Sequence, residues 1–142
     1  MTNVRTNISW SLVAVLAALG LIRPALSIAG AYEILGGRPL GPVIVTALLA
    51  VLWVGVVVVS RAPNPLFTLV AAGVSYGVLT IILQQVIWNL FLGGPPEGAP
   101  SSVPILVVSW VAIVVTSAIW GALLGVVALA IGRLLEQRGA EA

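Results

Sequence analysis

The sequence predicts an all-α integral membrane protein: a single domain built as an up-down bundle of four transmembrane helices. Three observations carry this. Of 142 residues, 61% are hydrophobic and only 7% are charged. A soluble domain carries roughly 25% charged residues, so a water-soluble globule, whose surface so few charges could not cover, is close to excluded. The apolar residues also fall into four long runs, suited to a hydrocarbon layer about 30 Å thick. Finally, all nine prolines stand between those runs or at their edges, where a missing backbone N–H does least harm.

The first span is expected at about residues 4–23. Its apolar run, Ile8 to Ile22, is interrupted by Arg23-Pro24. A span entering near Thr2 puts Arg23 ~32 Å along the helix, where its side chain can snorkel to the outer interface. Pro24 then ends the span, and segment 25–35 becomes a short helix on or in the outer leaflet. Arg23, Ser27 and Gly30 share one face of that helix, with Glu33 three residues further. The other arrangement is one kinked helix from Ile8 to Leu35, with Arg23 deeper and paired, because an unpaired charge in lipid costs several kcal/mol. Arg5, the run Ile8–Ile22 and Ala29-Gly30-Ala31 also imitate a secretory signal. The stretch between Arg23 and Ala31 is long for that role, so the segment is read as a retained span.

The loop Gly36–Pro42 leads to the second span, 43–60, whose 18 residues give about 27 Å of helix. Arg61-Ala62-Pro63-Asn64-Pro65 is a tight connection that makes spans two and three an antiparallel hairpin. The third span, 66–92, has 27 residues and is roughly 40 Å long; the fourth, 105–131, is similar. Both exceed the hydrocarbon thickness and must tilt or project beyond it. The outer loop 93–104 holds four Pro and three Gly and reads as irregular. The cytoplasmic tail 133–142 carries four of the ten charges and is solvated. A faint similarity between Leu49–Ser60 and Leu106–Ser117 is of the kind that valine-rich helices produce by chance.

Arginine bias sets the orientation. Arg5, Arg61, Arg133 and Arg138 fall on one side and Arg23 and Arg38 on the other, which favours both termini in the cytoplasm of an inner membrane. Arginine without lysine, together with the Ala/Val/Gly bias, points to a GC-rich prokaryotic genome.

Two sets of residues stand out within the spans. Ser117, Gly121, Gly125, Ala128 and Gly132 recur at intervals of 4, 4, 3 and 4 in span four, and span three holds Gly73-x-x-x-Gly77. Small faces of this kind let helix backbones approach and gain dispersion contacts that lipid cannot match. Packing within the bundle is the favoured use, a homodimer or partner interface the other. The second set is polar: Tyr76, Thr80, Gln84, Gln85 and Asn89 in span three, with Arg23 from span one. These are the candidate binding residues, as a polar wall on a cavity or path. Interhelical hydrogen bonding is the competing use, since Gln84 lies ~27 Å along its span, near the outer headgroups. Trp10, Trp88 and Tyr32 read as interfacial belt residues, and Trp53, Trp110 and Trp120 as deeper fillers beside the glycine faces.

The inventory narrows the function. With no Cys and no His there is no thiol redox pair, imidazole base or ordinary zinc or haem site, so neither a metal nor a cofactor is expected. Ser and Thr lack a base to activate them, which argues against an enzyme. The scattered arginines make no nucleic-acid patch. The chain is similar in size and span number to four-span small multidrug exporters. Their exchange, however, runs on a carboxylate in the first span, and here that span has none. The reading reached by elimination is a non-catalytic subunit, assembly or interaction partner in the lipid bilayer, as a homo-oligomer or within a larger complex. The alternative is an oligomeric passive channel or a small-molecule transporter without carboxylate or His proton coupling.

Overall fold

The structure, a computed structural model, describes residues 10–37 and 39–142. Residues 4–9 of the expected first span, together with Arg5 and Arg38, lie outside them. Among the described residues every regular element is a helix: α1 (Trp10–Gly20), α2 (Ile22–Ile28), α3 (Ala31–Ile34), α4 (Leu40–Val59), α5 (Pro65–Leu90) and α6 (Val103–Glu141). Four segments are long and apolar enough to cross a membrane: Trp10–Ile28, Leu40–Val59, Pro65–Leu90 and Val103–Glu141.

Pro24 does not end the first helix, as the sequence reading expected. The helical path continues through Arg23-Pro24 to Ile28, and the break falls one turn earlier, between α1 and α2 at Leu21. The cause is the proline ring. It offers no N–H to the carbonyl four residues back and clashes with it, and that carbonyl belongs to Gly20. The Leu21 N–H is shared between the carbonyls of Ala17 and Ala18, at 3.3 and 3.2 Å, so the turn tightens there. Segment 25–35 is therefore divided: its first residues complete α2, Gly30 turns the chain with φ 71°, and α3 is a separate single turn.

α4 starts three residues before the expected 43, and α5 matches its expected span closely. α6 runs far past residue 131 and takes in the charged tail. Its 39 residues make a helix ~58 Å long. The turn between α4 and α5 is a Schellman motif. The Ala62 N–H reaches the Val57 carbonyl at 3.3 Å and the Arg61 N–H reaches that of Val58 at 3.1 Å. Glycine usually occupies the left-handed position of this motif, but here Arg61 holds it at φ 48°.

The helices alternate in direction and pack in a ring. α1 lies on α5, α5 on α6, α6 on α4, and α4 returns to α1. The buried positions are helical stripes, such as Val13, Leu16, Ala17 and Gly20 on α1. They meet in one core of Leu16, Trp53, Val57, Leu69, Ala72, Leu124 and Ala128. Outside it the surface stays apolar, with Val51, Val108, Val126 and many like residues exposed.

The α5–α6 pair is the most intimate contact. A Cβ on Gly73 would strike the Ser117 carbonyl oxygen, and one on Gly121 the Leu69 carbonyl oxygen. A Cβ on Gly125 would lie 2.8 Å from Leu66 Cα, and one on Gly77 3.1 Å from Val114 Cα. Positions rise on one helix as they fall on the other, so this is an antiparallel seam several turns long, held at backbone-to-backbone distance. Ser117 is half-buried in it and Ala128 is buried in the core beyond. Gly132, the last member of the α6 stripe, has no neighbour among the described residues within 4 Å of where its Cβ would be.

Candidate functional site

A cavity of about 320 Å³ opens at the end of the bundle away from Arg61, lined by Arg23, Pro24, Ser27, Tyr32, Pro42, Tyr76 and Thr80. It exists because three elements cannot close on one another there. α2 is turned by Pro24 and brings Arg23 and Ser27, four residues apart, onto one face. α5 supplies Tyr76 and Thr80, also four residues apart. α4 contributes its first turn at Pro42.

Aromatic rings hold the walls in place. Tyr32 is 7% exposed, and its hydroxyl donates to the Arg23 carbonyl oxygen at 2.9 Å, tying α3 to α2. It lies against Gly41, where a Cβ would stand 3.0 Å from both the Tyr32 Cβ and its carbonyl oxygen. The glycine thus lets α4 start close beneath α3. Tyr32 was expected to be an interfacial belt residue; in the structure it braces the interior. On the opposite wall the Tyr76 ring meets Trp53 edge to face, with centroids 6.1 Å apart. Gly20 makes room for both rings: a Cβ there would come within 2.6 Å of Tyr76 Cδ2 and 3.1 Å of Trp53 Cζ2. Trp53 therefore fills the bundle interior below the cavity.

The polar groups differ in how they are satisfied. The Thr46 hydroxyl donates to the Pro42 carbonyl at 2.7 Å and the Ser109 hydroxyl to the Ile105 carbonyl at 2.8 Å, the usual refuge of a hydroxyl within a helix. Thr80 does not take it. Among the described residues its buried Oγ1 has no hydrogen-bond partner, as is also true of Trp53 Nε1 and Thr68 Oγ1 in the core. Of these three groups only Thr80 belongs to the cavity wall. Buried polar groups left alone cost about 1–3 kcal/mol, so each one calls for a partner. Among the described residues Arg23 is the single charged one on the wall, and its guanidinium enters none of the side-chain hydrogen bonds formed among them.

The cavity gathers three of the six candidate binding residues, Arg23, Tyr76 and Thr80. Gln84, Gln85 and Asn89 are not on its wall. Measured along α5 from Pro65, Thr80 lies at ~22 Å and Gln84 at ~28 Å, a turn above the cavity. Asn89 turns inward on its own helix, Nδ2 donating to the Gln85 carbonyl at 2.8 Å. Sequence reasoning missed Ser27, Tyr32 and Pro42 as members of the wall. The only signal for Ser27 was its shared face with Arg23, and nothing local marked the other two. Arg23 lies ~20 Å along from Trp10 and ~8 Å short of Ile28, so it sits within the helical path rather than beyond its end.

Among the described residues the wall carries one permanent cation, Arg23, with two tyrosines, one serine and one threonine, beside prolines. That set can hold an anionic or acceptor-rich group. It contains no carboxylate to move a proton. Comparison with protein families, with curated proteins and with solved structures returned no match.

Proposed function

We propose that this chain is a multi-pass protein of a prokaryotic cytoplasmic membrane, with both termini in the cytoplasm. It acts without catalysis, as a ligand-binding or partner component of a membrane assembly. Its recognition element is the Arg23 cavity. The observation that carries this is the convergence of Arg23 from α2 with Tyr76 and Thr80 from α5 around one space of about 320 Å³, with the Thr80 hydroxyl unpartnered. A guanidinium in an apolar surround is costly unless something engages it. The natural occupant is the negatively charged or acceptor-rich end of a ligand, or of a partner's side chain.

The test is purification in mild detergent with native mass measurement of the wild type and of the double variant Arg23→Gln, Thr80→Val. The wild type is expected to carry an additional component that the double variant loses while remaining folded. A bare wild-type chain, or an unchanged complement on the variant, would contradict the proposal.

A further inference from the structure

A second recess lies at the opposite end of the molecule. It occupies about 750 Å³ between the end of α4, the turn into α5 and the last third of α6. Its floor is apolar, formed by Val57 and Val58 from α4 with Ala128 and Leu129 from α6. Its rim carries Arg61, Arg133 and Glu136. The small-residue stripe of α6 continues into it. Gly121 and Gly125 are spent on α5, whereas Gly132 and Gly139 border the recess with open space where a Cβ would be.

The two arginines mark the same boundary on two helices. On α4 the run of valines ends at Val59 and Arg61 follows; on α6 the apolar run ends at Ile131 and Arg133 follows. In a membrane this boundary is the level of the headgroups, with acyl chains directly beneath. The Schellman turn fixes Arg61 there although its left-handed conformation suits glycine better.

From this juxtaposition we infer that the recess is a binding site for one anionic glycerophospholipid. The phosphate lies between Arg61 and Arg133, and an acyl chain covers the valine and alanine floor. Among the described residues two arginines and one glutamate leave the rim one charge positive, which matches the single negative charge of such a headgroup. A guanidinium is the side chain best shaped to hold phosphate oxygens in pairs. This site rests on the proposed membrane insertion but shares no residue with the Arg23 cavity, so its failure and that of ligand binding at the cavity are distinguishable.

The experiment is native mass spectrometry of the full chain in detergent, titrated with phosphatidylglycerol or phosphatidylcholine of matched acyl chains. The wild type is expected to retain one phosphatidylglycerol in preference to phosphatidylcholine. Arg61→Gly and Arg133→Gln should each weaken retention roughly fivefold. Arg61→Gly relieves the left-handed strain, so it should melt no lower than the wild type, which separates lost binding from lost folding. Arg138→Gln, on the same charged helix end but off the wall, should retain the lipid as the wild type does. Equal retention of the two lipids by the wild type would overturn the inference. So would a loss in Arg138→Gln as large as in Arg61→Gly, or a stable dimer from which the lipid is excluded.

Discussion

The α5–α6 seam and the Arg23 end of the bundle are both built from long apolar helices, yet one closes to backbone contact and the other stays open. The difference lies in side-chain size at the meeting points. Along the seam Gly73, Gly77, Gly121 and Gly125 remove the Cβ atoms that would hold the helices apart. One residue round from that face, the Tyr76 ring packs on Gly20 of α1 and Trp53 of α4, and with Tyr32, Pro24 and Pro42 it lines the space left between α2, α4 and α5. In lipid, helices gain little from hydrophobic burial against each other, so close packing decides association. Helices matched by glycine therefore carry the stability, and helices separated by rings and prolines leave room for a ligand.

The strongest way to break this comparison is to put bulk into the seam. Gly121→Leu and Gly73→Leu place side chains against the opposite helix's carbonyls and should cost about 3 kcal/mol or more, at the upper end of overpacking. Thermal unfolding in detergent would show it, and wild-type melting would mean the two helices do not meet there. A smaller effect is expected from Tyr32→Phe. Losing its bond to the Arg23 carbonyl should cost about 1 kcal/mol and loosen the cavity wall, seen as faster hydrogen exchange in α2 and α3. Thr80→Val should run the other way, stabilising the ligand-free protein by up to about 1 kcal/mol and so raising its melting point, because it removes an unsatisfied buried group. A loss of stability there would mean that the hydroxyl has a protein partner. The smallest change is expected at the open glycines: Gly55→Ala and Gly132→Ala meet nothing among the described residues and should gain about 0.5 kcal/mol of helix propensity, the low end of that exchange. Destabilisation at Gly132 would show that something else packs on that face.

The sequence pattern was informative where physics is local. Runs of apolar residues located the four long helices, since hydropathy and length decide a candidate span. The spacing of Gly73, Gly77, Gly121 and Gly125 revealed two small faces, though not that they meet each other in antiparallel register. Pro24 was visible as a disturbance, but its effect was placed at the proline rather than at Gly20, whose carbonyl the ring displaces. Tyr32 is the clearest case of what pattern cannot supply. An aromatic beside an apolar segment looks like a belt residue until the approach of Gly41 closes over it, and that contact depends on how α3 folds back onto α4. The amides Gln84, Gln85 and Asn89 shared a helix with Tyr76 and Thr80 and were grouped with them. The cavity stops below them because α2 ends at Ile28, whereas α5 continues to Leu90.

The absence of cysteine makes the contrast between the two regions directly measurable. Ser27→Cys and Ser117→Cys, each introduced alone, place a single thiol on the exposed cavity wall and in the seam. A small anionic methanethiosulfonate reagent should modify Ser27→Cys faster than a cationic reagent of the same size, because Arg23 draws it in, and it should leave Ser117→Cys unmodified. An unreactive Ser27→Cys, or equal labelling of the two positions, would contradict an open, positively charged cavity beside a closed seam.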